Sequence, residues 1–188
     1  MTTTIAFFNN KGGVGKTTLV YHLAHMFADE GKRVLLLDLD PQSNLTAMCL
    51  SEERLEEIWS DSADHPATVL GCVRPILRGL GDISAPRIEP VGDRIDLVPG
   101  DLGLSTFEDK LSDAWPRALD RDESAFRTLS AFHRMARTAA STVGFVDLVL
   151  VDVGPNLGAI NRAALLACEY VVTPLAPALF SIQGLRNL

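Results

Sequence analysis

The sequence predicts a doubly wound α/β domain, a mainly parallel sheet with helices on both faces, and three observations carry that prediction. Short, continuously apolar, β-rich runs recur along the chain, as strands buried on both faces do and alternating edge strands do not. Between them lie stretches with apolar residues at spacings of three and four, and strands alternating with helices imply parallel pairing with crossovers. The third observation is chemical. Two runs end in aspartates and another in a Gly-rich stretch, which gathers polar residues beyond the carboxyl ends of the strands, where ligands collect in such sheets. With 188 residues, 47% apolar and 22% charged, the chain is long enough for one core and is read as a single domain over 1–188.

The elements follow in order. "TIAFF" is the first buried strand and ends at "NNKGGVGKTT", residues 9–18. From Lys16 to about Glu30, Leu19, Val20, Leu23, Met26 and Phe27 recur at helical spacing, and Gly31 supplies the stop. "RVLLLDLD" (33–40) is a second strand, closed by Pro41 because proline cannot continue a ladder. Residues 51–93 are polar and irregular, with helices predicted near 52–58 and 67–80; too few to bury a core alone, they read as a helical excursion from the sheet. "RIDLVPG" (94–100) is another strand, followed by helices from about Asp101 to Ala114 and from about Glu123 to Thr142. "VDLVLVDVGP" (146–155) is a strand ending in Asp152, then an amphipathic stretch runs from Ala159 to Cys168, and "YVVTPLAP" (170–177) is one more strand. The sequence stops at "GLRNL" inside a helical pattern with no closing strands after it, which reads as a C-terminally truncated domain.

Composition narrows the function classes. Seventeen lysines and arginines against 24 carboxylates give a net charge of -7, which argues against a surface that is basic all over and sweeps in nucleic acid. Cys49, Cys72 and Cys168 show no CxxC spacing, so neither a disulfide framework nor a zinc site is suggested, and a reducing cytoplasm fits best. The N-terminus has no basic n-region and no apolar run is long enough to span a bilayer, so neither export nor membrane insertion is expected.

The chemistry lies in residues 9–18. A Walker A loop reads G-x-x-x-x-G-K-[ST]: backbone amides at a helix mouth surround the β-phosphate, the lysine neutralises β- and γ-oxygens, and the hydroxyl binds magnesium. Gly15, Lys16 and Thr17 match its end, while Asn10 stands at the first glycine position, a residue that tolerates a left-handed backbone. Gly12 and Gly13 permit close backbone approach, and the amides around Val14 complete the cradle. A strand before and an amphipathic helix after are the context this motif requires.

"KGGVGKTT", with its extra leading lysine, resembles the deviant Walker A of the ParA/MinD superfamily of P-loop ATPases, and "DLDPQSNLT" resembles the ParA/Soj branch, where D-x-D-P-Q-x-N is usual. "DLVLVDVGPNLG" is similar to the family's Walker B and switch II segment, D-x-x-x-x-D-x-P-P; "IDLVPGDLGLSTFEDKL" and "VVTPLAPALFSIQGL" resemble its central segment and its following strand and helix. The resemblance implies a P-loop NTPase fold, ATP and Mg2+ as ligands, slow hydrolysis stimulated by a ParB-like partner, and a homodimer formed on ATP binding. Lys11 would reach across that dimer onto the partner's phosphates, like an arginine finger; a solvated lysine at a loop edge is the alternative. Thr17 would coordinate magnesium directly, with Asp38 and Asp152 holding its waters, and Thr18 would support the α-phosphate. Asp40 would orient or activate the attacking water; the alternative is a turn-capping aspartate before Pro41. Gly154 would bring its N–H toward the γ-phosphate and Pro155 would stiffen that switch. Here Val153-Gly154-Pro155 replaces the more usual Thr-Pro-Pro.

Other features carry less. His22 and His25 share a helix without a third ligand; Arg127, Arg134 and Arg137 fall on one helical side, where a solvated face competes with phosphate contact; Trp59 and Trp115 read as packing residues. Three classes remain. A partition-type ATPase acting on plasmid or chromosome is favoured, at the nucleoid of a bacterial cytoplasm; nonspecific DNA binding is possible, although the family's usual C-terminal patch lies beyond this sequence. A MinD-like membrane-cycling ATPase needs a terminal amphipathic helix with a basic face, and none precedes Leu188. A metabolic or redox P-loop enzyme is the third class; a cluster-bearing one needs cysteines placed between subunits.

Overall fold

A computed structural model of the chain describes residues 2–60 and 66–175. Six strands form one sheet: β1 (Thr3–Phe7), β2 (Val34–Asp38), β3 (Glu89–Gly92), β4 (Ile95–Val98), β5 (Leu148–Asp152) and β6 (Tyr170–Val172), in the order β3-β4-β2-β5-β1-β6. All neighbours are parallel except β3 and β4, which pair antiparallel with an irregularity between Pro90 and Gly92. The doubly wound, mainly parallel reading therefore holds, with a hairpin at one edge that periodicity did not reveal because a four-residue "EPVG" strand carries no apolar run.

Helices lie on both faces. One core joins Ala6, Phe8, Leu35, Leu37, Val149 and Val151 to α4 (Val69–Leu77), α5 (Phe107–Leu119), α7 (Ala131–Val143) and α8 (Ala159–Leu166). The other joins Phe7, Val34, Leu36, Leu97 and Leu150 to Val20 and Ala24 of α1 (Lys16–Asp29) and Leu45 of α2 (Asn44–Cys49). Side chains alternate across a strand, so a fully buried strand such as β2 must be apolar throughout to serve both cores, which explains its unbroken "VLLL".

Several boundaries differ from expectation. The helix expected over 101–114 starts as a 3-10 turn, Leu102–Thr106, capped by Asp101 accepting from Gly103 N, and continues as α5 to Leu119. The long helix expected from Glu123 is two, α6 (Glu123–Leu129) and α7, because Ser130 leaves helical geometry and its hydroxyl donates to Phe126 O at 2.6 Å. That break turns Arg134 onto Asp82, Ser130 and Arg127 O, so the three arginines do not form one helical row. The expected helix near 52–58 is α3 (Glu52–Ile58), whereas α2 was not anticipated. The strand expected to reach 177 ends at Val172; the remainder of that stretch from Ala176, and the helical pattern to Leu188, lie outside the described residues.

Register sets the site. At the carboxyl edge Phe7 stands opposite Asp152, and Asp152 opposite Asp38, which brings the Gly-rich loop after β1 beside two aspartates.

Candidate nucleotide site

The loop turns on two glycines. Gly13 and Gly15 have φ of 74° and 78°, a left-handed backbone that would cost a residue with a Cβ about 1–2 kcal/mol. Asn10 is not at positive φ, so its tolerance for that conformation goes unused. Gly15 caps α1 with no side-chain bond, which leaves the helix's first amides and its positive dipole end facing the loop. Asn9 props the loop from beneath: its Oδ1 accepts from Lys11 N at 2.9 Å and its Nδ2 donates to Pro174 O at 2.6 Å.

Lys11 through Thr18 line a cleft of about 490 Å3 together with Asp40, Gln42, Asn44, Ala47, Met48 and Pro155. The two lysines differ sharply. Lys16 is 8% exposed and its Nζ pairs with Asp152 Oδ1 at 2.5 Å. Lys11 is exposed on the rim, and among the described residues no ion pair holds its ammonium. Thr17 Oγ1 donates to the other oxygen of Asp152 at 2.7 Å. Burial pushes the Asp152 carboxyl up, opposed by the Lys16 charge and by the bonds from Lys16 and Thr17.

Asp38 lies beneath the cleft rather than on its wall. Its Oδ2 accepts from Thr46 N at 2.9 Å and Thr46 Oγ1 at 2.7 Å, and its Oδ1 from Asp40 N at 3.3 Å. Burial first, then the Asp152 charge, raises its carboxyl to about 7 against the Thr46 bonds. A Cβ on Gly100 would fall 2.8 Å from this carboxylate and from Ser43 Oγ, so only glycine fits there. Asp40 holds the turn, its Oδ1 accepting from Gln42 N at 3.0 Å, and the residue also lines the cleft.

After β5 the chain is tied by side chains that sequence reasoning missed. The Gly154 N–H, expected to face the γ-phosphate, donates to Asn161 Oδ1 at 3.1 Å. Asn156 Oδ1 accepts from Gly158 N at 2.8 Å, and Glu108 of α5 accepts from Ala159 N and Ile160 N, the first amides of α8. No local signal marks Asn161, a polar residue inside an apolar helical face. Glu108 acts across 51 and 52 residues of sequence, beyond the reach of any motif. Pro155 lines the cleft.

The remaining candidates are structural. His22 meets the Tyr21 ring edge-on and His25 meets it at a tilt; Trp59 Nε1 donates to Gly100 O at 3.0 Å; Arg162 lies 4.9 Å over the Trp115 ring. Burial pushes the three cysteine thiols up to about 12, and among the described residues no group of three or more His, Cys, Asp or Glu is placed to hold a metal. No described helix is long and apolar enough to cross a membrane.

The chain matches the AAA-domain family over residues 2–188. The chromosome-partitioning ATPase Soj of Thermus thermophilus is 34% identical over 185 residues, 98% of this chain and 59% of that protein. Among solved structures, protein DIP2308 from Corynebacterium diphtheriae superposes with a TM-score of 0.87 at 40% identity, covering 98% of this chain and 62% of that one. Cobyrinic acid a,c-diamide synthase from Mycobacterium smegmatis, with bound ADP and magnesium, gives 0.70 at 29% identity, covering 100% and 65%. The chain spans 61–62% of the length of the first curated relatives it matches. With a Gly-rich loop closing on Lys16 and Thr17, an aspartate at the end of β5 and this similarity along its length, the chain belongs to the AAA-domain family of P-loop proteins and is of the ParA/Soj type.

Proposed function

We propose that the chain is the nucleotide-binding core of a partition ATPase, which binds ATP with Mg2+, dimerises in that form and hydrolyses it slowly when a ParB-like partner stimulates it. One observation supports the reading most. Eight consecutive residues, Lys11–Thr18, line the cleft at an uncapped helix start, with Lys16 and Thr17 converging on Asp152. Amides, a helix dipole and two ammonium groups suit a triphosphate.

The oxygens at hand suit Mg2+, which takes one or two protein ligands and completes its shell with water and phosphate. Thr17 would hold it directly, Asp152 from the outer shell, and Asp38 from the layer beneath; the ion neutralises phosphate charge when bound. Lys16 holds the β- and γ-oxygens, Thr18 the α-phosphate, and Asp40 orients a water from the facing wall. Lys11, on the rim, reaches the nucleotide of a second copy, where its charge opposes the negative charge that spreads in the transition state. DNA held nonspecifically by the dimer is the proposed track, and the bacterial cytoplasm the place.

Light scattering with Mg–ATP tests this. A dimer is expected with ATP and a monomer with ADP, and Lys11→Ala should keep nucleotide affinity while losing the dimer. A dimer unaltered by Lys11→Ala contradicts the trans role. The likeness to the amide-forming synthase supports a second reading, a metabolic P-loop enzyme. ATP turnover that rises with a small metabolite, and not with DNA and a partner protein, favours that one.

A further inference from the structure

Gly154 stands where the D-x-P-P pattern has its first proline, so this chain carries an amide hydrogen at a position where the pattern has none. That hydrogen has an acceptor, Asn161 Oδ1 at 3.1 Å, and the same side chain's Nδ2 donates back to Gly154 O at 2.8 Å. Nδ2 also reaches Asn156 O at 2.6 Å and Asn156 Oδ1 at 3.0 Å. Asn161 is 1% exposed, so water does not compete for these bonds. A Cβ built on Gly154 would lie 3.4 Å from Asp40 Oδ1 and 3.5 Å from Asn161 Nδ2. The glycine thus sits between a buried amide and an aspartate that lines the nucleotide cleft, and Pro155, which lines the same cleft, has no hydrogen to offer.

We propose that Asn161 is a positioning residue that latches the Gly154 amide, and that the terminal phosphate of a nucleoside triphosphate competes with Asn161 Oδ1 for its hydrogen. The proposal rests on reading the loop as an ATP site. One hydrogen does not serve two acceptors at full strength, so a triphosphate opens the latch and a diphosphate, which lacks the third phosphate, leaves it shut. Glycine is the residue that suits this exchange, because without a Cβ its flanking peptide rotates at least cost. The consequence reaches further along the chain: Asn161 belongs to α8, whose first amides rest on Glu108 of α5. A ligand that binds the two latch positions differently shifts the balance between them.

Two measurements test it. The first is the ratio of ATP to ADP affinity. Asn161→Ala removes the competitor and raises that ratio about threefold to tenfold, the range of one hydrogen bond, whereas a merely structural clamp would change both affinities alike. Gly154→Pro removes the hydrogen and lowers the ratio, and Asn161→Ala added to it leaves the ratio unmoved. An Asn161→Ala ratio equal to that of the unmodified chain overturns the latch.

The second needs no variant to fold. In the 15N-glycine-labelled chain, the Gly154 amide signal moves with Mg–AMPPNP and stays with Mg–ADP, while Gly13 and Gly15 move with both. Equal Gly154 shifts with both nucleotides overturn the latch alone. No movement at Gly13 or Gly15 with either nucleotide overturns the ATP reading and the latch with it.

Discussion

Two glycine-bearing turns leave the carboxyl ends of neighbouring strands, and they are built in opposite ways. After β1 Asn9 holds the Lys11 amide, α1 starts without a side-chain cap, and a Cβ at Gly12, Gly13 or Gly15 would meet nothing within 4 Å. After β5 the amides of Gly154, Gly158, Ala159 and Ile160 all have side-chain acceptors, and a Cβ on Gly158 would lie 2.7 Å from Glu108 Oε1. Backbone donors that the protein itself does not use are open to a ligand at once, whereas a donor with a side-chain acceptor is open only to a ligand that displaces that acceptor. The difference teaches that similar glycines serve different ends: in the first turn they make room for phosphate, and in the second they let two elements touch.

The contrast can be broken or sharpened by substitution. The largest effect is expected for Lys16→Ala, which removes a charged donor from the cleft and leaves Asp152 buried without its ion pair. Charge-assisted bonds contribute about 1.5–3 kcal/mol each, so calorimetric titration should show Mg–ATP affinity falling at least about 100-fold. Retained affinity would move the triphosphate elsewhere.

Next comes Gly158→Ala, which forces Glu108 off the start of α8. Loss of the charge-assisted bonds from the Ala159 and Ile160 amides costs about 1–3 kcal/mol, and the melting temperature should fall by roughly 2–4 °C for each kcal/mol, with nucleotide affinity nearly unchanged. Gly13→Ala is its mirror: the site is open but the backbone is left-handed, so the free loop is expected to relax out of that conformation, and restoring it on binding, at about 1–2 kcal/mol, should appear as roughly tenfold weaker binding with little change in melting temperature. If the two substitutions trade signatures, the division of labour drawn here is wrong. The smallest effect belongs to Lys11→Ala. With an exposed ammonium on the rim, its removal should leave stability within about 0.5 kcal/mol, measured by urea denaturation.

Much of this was legible in the sequence, and the illegible part has a common cause. The strands β1, β2, β4 and β5 were readable because both faces of a central parallel strand must be apolar, and "VLLLD" or "LVLVD" shows that without context. The loop was readable because phosphate chemistry fixes residue types at fixed spacing. What could not be read depends on contacts distant in sequence. Glu108 meets α8 only after the sheet has formed, Asn161 looks like an interruption of an apolar face, and α2 follows a Ser43 held at φ 52° with no glycine to announce it. The bond that holds the Gly154 amide could not be read either: its acceptor lies seven residues ahead in a helix that the motif does not include.

Hydrogen–deuterium exchange with and without Mg–ATP measures the difference between the two turns in one experiment. The account predicts that amides of residues 12–18 exchange more slowly once nucleotide is bound, while Ala159 and Ile160, already held by Glu108, do not change. Unaltered exchange across 12–18 at saturating Mg–ATP would contradict it.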